Sequence, residues 1–169
     1  ARDWSREIPD VVVDLDGLAA YTERLFSDEA ASRGIAFTVT IEEDLPHIDS
    51  GTELLEQVME NLVSNAIKYT PEGGSVDVRF GRHDADTIEI RVKDTGIGIP
   101  EDEQEKLFQE FFRASNAKRH TTTGTGLGLA LVKQTIERHK GDVQINSTET
   151  DGTEVLVRLP IHQADSALS

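Results

Sequence analysis

Two runs of alternating apolar and charged residues place the strongest constraint on how this chain can fold. The apolar positions of the two runs are Val76, Val78, Phe80, Ile88, Ile90 and Val92. Successive side chains of a strand point to opposite faces, so each run predicts a strand with one face on a core and the other in water. Residues 84–86 lie between the runs and predict a hairpin turn. The chain is therefore expected to contain an antiparallel sheet with one covered face.

Periodic segments on both sides of this hairpin predict the remaining elements. Helical spacing is present over residues 16–34, about 52–69 and about 126–139, and strand alternation over residues 35–41. A second hairpin over residues 143–159 turns at Asp151-Gly152. This mixed order of strands and helices predicts an α+β fold, with an antiparallel or mixed sheet covered by helices on one face.

Length and charge limit the classes of function. The chain has 169 residues, 17 of them basic and 32 acidic, which gives a net charge of −15, and it has zero cysteines. The length suits one domain. A field this negative repels phosphate backbones and anionic lipid, which argues against a nucleic-acid binder or direct contact with a membrane. The lack of cysteine excludes disulfides and thiolate metal sites, and it is compatible with a reducing compartment.

The second predicted helix carries two asparagines one turn apart. Asn61 and Asn65 lie at the border of its apolar arc, and Lys68 projects within about 60° of both. Asparagine is a poor residue inside a helix because its side chain competes for backbone hydrogen bonds. One interpretation is a site for magnesium and phosphate, using carbonyl oxygens and a lysine charge. The alternative is a solvated helix edge.

Two glycine-rich turns follow this helix. In the first, residues 94–100, Asp94 ends a strand, and Gly96 and Gly98 allow a ligand to approach the backbone. The aspartate is placed to accept a hydrogen bond from an amino group such as that of adenine. A plain tight turn is the alternative. The second turn, residues 123–129, opens the last helix, and its free N–H groups suit an anion, although a glycine cluster alone is weak evidence.

Four segments in this order resemble the sequence boxes of sensor histidine kinases. Residues 60–70 resemble the N box, residues 94–100 the G1 box, residues 107–113 the F box and residues 124–129 the G2 box. The resemblance extends from about Val13 to Ile161.

The resemblance implies the Bergerat ATP-binding fold, a two-layer α/β sandwich. Its mixed, mostly antiparallel sheet is covered on one face by three helices, and a mobile lid over residues 101–123 closes on the nucleotide. Residues 1–13 are expected to be a linker remnant from a preceding dimerisation domain, residues 14–162 the catalytic ATP-binding domain and residues 163–169 a frayed tail. We expect the lid to be mobile without nucleotide and partly ordered by it.

The resemblance also implies roles at the phosphate end of the site. Asn65 would ligate Mg²⁺, Asn61 would line the same phosphate site, and Lys68 and Arg113 would contact phosphate. Glu60 is a candidate to orient a water or the incoming imidazole, with a surface or structural role as the alternative.

The remaining nucleotide contacts are implied by the G1, F and G2 boxes and by the end of the N box. Asp94 would accept a hydrogen bond from the adenine amino group, with the glycines shaping the adenine wall and the G2 amides meeting phosphate. These residues are Tyr69, Asp94, Gly96, Gly98, Ile99, Phe108, Thr123, Gly124, Thr125, Gly126, Leu127, Gly128 and Leu129.

The function implied is transfer of the γ-phosphoryl group of Mg-ATP to a histidine on a separate dimerisation domain. A response-regulator aspartate would then receive it. None of the chain's own histidines fits the phosphoacceptor, and each is expected at the surface: His47, His83, His120, His139 and His162. We expect a cytoplasmic monomer that binds ATP or ADP.

Three alternatives share the fold. They are a nucleotide-binding module that transfers no phosphate, an anti-sigma-factor serine kinase, and an ATP-driven clamp of the topoisomerase or chaperone type. The clamp carries a catalytic glutamate four residues before the magnesium asparagine, whereas this chain has Asn61 there. The Lys-Tyr-Thr ending of the N box and the full F box argue against the serine kinase.

Overall fold

The computed structural model describes residues 12–98, 127–148 and 150–161 of the chain. The helices in these ranges are α1 (Leu15–Ser32), α2 (Thr52–Lys68) and α3 (Leu127–Arg138). The strands are β1 (Val12–Val13), β2 (Ala36–Ile41), β3 (Ile48–Asp49), β4 (Ser75–Arg82), β5 (Thr87–Asp94), β6 (Asp142–Thr148) and β7 (Gly152–Pro160). All helices and strands predicted from periodicity are present, with closely similar bounds.

Five strands form one mixed sheet in the order β2-β4-β5-β7-β6. The β2–β4 pair is parallel, and the other three pairs are antiparallel. The two predicted hairpins are β4–β5 and β6–β7, and β2 and β6 form the edges of the sheet. The predicted mixed, mostly antiparallel sheet is therefore confirmed.

The helices cover one face of this sheet. Helix α1 packs against β2, α2 against β4 and β5, and α3 against β6 and β7. Cross-strand partners share a face of a sheet, so each row of partners is either covered or open. One covered row consists of Val39, Val78, Val92, Val155 and Ile145. The other face carries ion pairs such as Arg158 with Glu89, at 3.0 Å. The predicted α+β sandwich with helices on one face is confirmed.

The two-residue strands β1 and β3 were not predicted. Val12 and Val13 pair antiparallel with Asp49 and Ile48, respectively. The sequence pattern assigned residues 12 and 13 to the linker, but Val13 is buried in the core. Such short strands carry no measurable alternation, and only the tertiary pairing defines them.

The C-terminal end of α3 holds a buried histidine, which corrects one expectation. His139 was expected at the surface, but it is only 6% exposed. Its Nδ1 contacts the Thr135 carbonyl oxygen at 2.7 Å, and its Nε2 is hydrogen-bonded to the Ser50 hydroxyl, immediately before the N-cap of α2. This burial lowers the pKa of His139. The contact joins the C-terminal end of α3 to the N-terminal end of α2. His47 and His83 are exposed, as expected.

Several expectations concern residues outside the described ranges. They include most of the linker, the lid, His120, His162 and the tail. Among the described residues, no helix is both long and apolar enough to cross a membrane.

Candidate functional site

The two borders of helix α2 face different neighbours. Tyr21 of α1 donates a hydrogen bond from its hydroxyl to Glu60 Oε1 at 2.6 Å, so the Glu60 border faces α1. Measured around the helix axis from Glu60, Asn61 lies at about 100° and Asn65 at about 140°, on the opposite border of the helix. Helix α2 contacts α3 as well as α1, and α3 covers the strands on that other side. The asparagines therefore lie on the α3 side of α2.

Asn61, Asn65 and Lys68 are half-buried on this side of the helix. The two side-chain amides form no hydrogen bond with any residue within 12–98, 127–148 or 150–161. The Lys68 Nζ lies 5.4 Å from the centroid of the Tyr69 ring, a cation–π contact that holds the lysine beside the predicted adenine neighbour. The structure thus brings these four predicted residues together at the C-terminal half of α2.

Glu60 does not join this group. Its hydrogen bond to Tyr21, with burial as a second cause, raises the pKa of Tyr21 to about 12. The Glu60 carboxylate is bonded to α1 on the border of α2 that faces away from the asparagines. It is therefore not directed toward them. This geometry favours the structural interpretation of Glu60 that the sequence left open.

Asp94 is the last residue of β5 and is buried on the covered face of the sheet. Its Oδ1 accepts hydrogen bonds from the backbone N–H of Gly96 at 2.8 Å and of Thr153 at 3.2 Å. No donor among the described residues reaches its Oδ2. Burial is the main cause that raises the pKa of the Asp94 carboxyl, against the two backbone bonds that lower it. The carboxyl is therefore fixed in orientation and keeps one oxygen for a ligand.

The G1 turn is attached to the end of α2. The Ile97 N–H donates to the Tyr69 carbonyl oxygen at 3.2 Å. A Cβ on Gly96 would lie 2.6 Å from that same oxygen and 2.9 Å from Asp94 Oδ1, so only glycine fits here. Gly98 has φ +70°, in the left-handed region that favours glycine. The predicted adenine wall and the asparagine helix are thereby held as one unit.

Helix α3 begins at Leu127, inside the G2 box. The first N–H groups of a helix lack intrahelical partners and are available to an anion. Leu127 and Gly128 belong to this first turn, and Leu129 is half-buried against the core. The other predicted contacts lie outside the described residues: Ile99, Phe108, Arg113, Thr123, Gly124, Thr125 and Gly126.

Gly152 and Thr153 also belong to the candidate site, although sequence patterns predict only a turn at residues 151–152. Thr153 is the cross-strand partner of Asp94, and its backbone N–H donates to the Asp94 carboxylate. Gly152 has φ +88°, and a side chain there would overlap the Asp94 carbonyl. The register of β5 against β7 was the signal that would have identified both residues.

Comparison with known proteins gives a consistent result. The family of histidine kinase-, DNA gyrase B- and HSP90-like ATPases matches residues 51–163. The chain is 40% identical over 118 residues to the sensor histidine kinase WalK of Bacillus subtilis, covering 68% of this chain and 19% of WalK. The chain spans well under half the length of the curated relatives that it matches.

Two solved structures share the fold at 29% identity. The mycobacterial sensor histidine kinase MprB superimposes with a TM-score of 0.80, over 90% of this chain and 99% of that chain. Full-length ShkA in complex with AMPPNP superimposes with a TM-score of 0.81, over 93% of this chain and 32% of that chain.

Proposed function

Because the chain belongs to the family of histidine kinase-, DNA gyrase B- and HSP90-like ATPases, we propose that it is the ATP-binding catalytic domain of a sensor histidine kinase. It binds Mg-ATP and transfers the γ-phosphoryl group to a histidine on a dimerisation domain, for relay to an aspartate of a response regulator. The names of WalK and MprB support this class, as does the ATP analogue in the ShkA complex.

The observation that carries the proposal is the Asp94 carboxyl. It is buried, it is oriented through Oδ1 by two backbone N–H groups, and its Oδ2 has no donor among the described residues. The Oδ2 oxygen can accept a further hydrogen bond, so a ligand that places a donor against it gains a bond to an acceptor already fixed in orientation. The exocyclic amino group of adenine is such a donor, whereas the oxo group at the same position of guanine is not.

The other end of the site suits a triphosphate. Lys68 supplies a point charge, and the first turn of α3 supplies N–H groups. The carboxamide oxygen of Asn65 is a hard ligand of the kind Mg²⁺ accepts, and it is half-buried with no hydrogen-bond partner among the described residues. Among those residues there is no cluster of three acidic or histidine side chains for a metal, which fits an ion held largely by phosphate and water. Mg²⁺ bound there would neutralise phosphate charge.

The described residues of the chain contribute positioning and charge rather than a nucleophile. Asn61 and Asn65 orient the phosphates from α2, and Lys68 stabilises the charge that shifts during transfer. His139 is buried and bonded at both ring nitrogens, so it is not available as an acceptor. The attacking imidazole comes instead from the dimerisation domain, and ADP remains on this domain. We expect the domain to act in the cytoplasm, with a response regulator as a later partner.

The first test is calorimetric titration of the chain with ATP, with and without Mg²⁺. Asn65→Ala should weaken magnesium-dependent ATP binding about tenfold or more, because a charge-assisted contact is lost. Asn146→Ala is a matched control, since Asn146 is exposed on β6 and bonds to Glu154 on the open face of the sheet. Full-strength magnesium-dependent binding by Asn65→Ala would refute the assignment of this residue.

A second test separates the kinase from a module that only binds nucleotide. The chain is mixed with radiolabelled Mg-ATP and with phosphoacceptor dimerisation domains of histidine kinases. Acid-labile, base-stable label on the added domain supports the kinase. Tight ATP binding with no transfer to any such domain would instead favour the nucleotide-binding module.

A further inference from the structure

The row of cross-strand partners at one end of the covered face has three polar members. The row contains Val76, Asp94, Thr153 and Ser147, on β4, β5, β7 and β6, respectively. The neighbouring row on the same face is apolar throughout (Val78, Val92, Val155 and Ile145). Polar groups on a covered face need a reason, and the proposed adenine pocket accounts for Asp94 only. Ser147 and Thr153 are left to explain.

The hydrogen bonds of Ser147 determine where the Thr153 proton points. The Ser147 hydroxyl donates to the Gly152 carbonyl oxygen at 3.0 Å. It also lies 2.7 Å from Thr153 Oγ1. A hydroxyl has a single proton, so Thr153 is the donor in the second bond. The Thr153 proton is therefore directed toward Ser147 and away from Asp94.

This direction matters because Thr153 and Asp94 are cross-strand partners. Side chains of such partners have Cβ atoms about 4.5–5.5 Å apart, within reach of a rotated hydroxyl. A Thr153 hydroxyl released from Ser147 would donate to the Asp94 carboxylate, which is buried and has an unused oxygen. It would then compete with the ligand for that acceptor.

We propose that Ser147 is a positioning residue that sets the nucleotide specificity of the site. Because Ser147 accepts the hydrogen bond of the Thr153 hydroxyl, that donor does not face the 6-position of a bound purine. The groups around the 6-position are then hydrogen-bond acceptors, which favour a 6-amino group over a 6-oxo group. This inference rests on the proposed function, because it takes the Asp94 pocket to be the adenine pocket.

The test compares Mg-ATP with Mg-ITP, whose bases differ at the 6-position by an amino or an oxo group. In Ser147→Ala, ATP binding should weaken about three- to tenfold, the range expected for one hydrogen bond, and ITP binding less than about twofold. The ratio of the two dissociation constants therefore moves toward one. Thr38→Ala is the control, because its hydroxyl bonds to Asp77 on an exposed part of the sheet. It should leave both constants unchanged.

A second variant isolates the Thr153 hydroxyl. Thr153→Val keeps the branched shape and removes the hydroxyl, so adding Ser147→Ala to it should not change the ATP/ITP ratio further. Equal weakening of both nucleotides by Ser147→Ala, or a ratio that still changes in the Thr153→Val background, would overturn the inference. If the wild-type chain prefers ATP and Ser147→Ala leaves the ratio of the ATP and ITP dissociation constants unchanged, this inference alone is refuted. If the wild-type chain binds neither nucleotide, the proposed function is refuted too.

Discussion

The contact between Ser50 and His139 is the sharpest place to test how the helices are held together. Ser50 is fully buried, His139 is nearly so, and the bond links the segment before α2 to the end of α3. Ser50→Ala removes the hydroxyl and leaves His139 Nε2 buried without this partner. The His139 Nδ1 contact to the Thr135 carbonyl remains.

The expected loss follows from the cost of a buried unsatisfied group, about 1–3 kcal/mol. A change of 1 kcal/mol shifts the melting temperature of a chain this size by about 2–4 °C. Ser50→Ala should therefore melt about 2–12 °C below the wild type at neutral pH, by calorimetry or circular dichroism. Ser27→Ala removes an exposed hydroxyl that bonds to the Glu23 carbonyl, so it should change stability by no more than about 0.5 kcal/mol.

The same histidine predicts a pH dependence with a definite sign. Burial, followed by the nearby Arg138 charge, lowers the pKa of His139 in the folded state. The unfolded chain, with a histidine pKa near about 6.5, takes up a proton first as the pH falls. The contribution of neutral His139 to the free energy of unfolding is therefore fully present above about pH 6.5, and it is lost progressively as the pH falls below that value. His139→Gln should flatten this part of the stability curve.

Two outcomes would refute this reasoning. A melting temperature for Ser50→Ala equal to that of the wild type means that the bond does not join the helices. An unchanged slope of stability against pH in His139→Gln means that another group titrates.

Three further predictions follow from the site. Asp94→Asn should abolish ATP binding yet raise the melting temperature at neutral pH. Burial raises the Asp94 pKa, so the ionised carboxyl destabilises the fold at any pH above that pKa, and asparagine removes this cost. Calorimetry should show that the increase in melting temperature disappears in acid. Gly96→Ala should lose ATP affinity because its Cβ has no space, whereas Gly17→Ala, with no atom closer than 4.0 Å, should bind like the wild type in the same titration. Tyr21→Phe should lower the free energy of unfolding by about 0.5–2 kcal/mol in a urea titration and leave phosphotransfer unchanged, because the hydrogen bond that it removes joins α1 to α2 on the border away from the asparagines.

The main helices and hairpins could be predicted because their periods are long and regular. The apolar faces of α2 and of the β4–β5 hairpin lie where the patterns placed them. The strand pair β1–β3 could not be predicted, because two residues carry no period and their pairing depends on tertiary contacts. The parallel pairing of β2 with β4 is likewise set by how α1 and α2 pack.

The candidate site likewise combines features that local sequence predicts with features that depend on tertiary pairing. Asp94, Asn61 and Asn65 could be proposed as candidates because motifs and helix geometry are local. Thr153 was missed because its role depends on strand register. His139 carried a usable signal, since it lies three and seven residues after the buried Ile136 and Val132, on the apolar face of α3. Its position at the end of the predicted helix suggested a surface position instead.

The edge strand β2 has a practical consequence for any destabilised form of the protein. Its six residues, 36–41, contain no charge, glycine or proline, and β-branched and aromatic side chains predominate. Short segments of this composition at a sheet edge are templates for pairing between molecules. In variants that loosen α1, which packs on β2, we expect aggregation to start here, and a lysine in place of Thr38 or Thr40 on the open face should slow it.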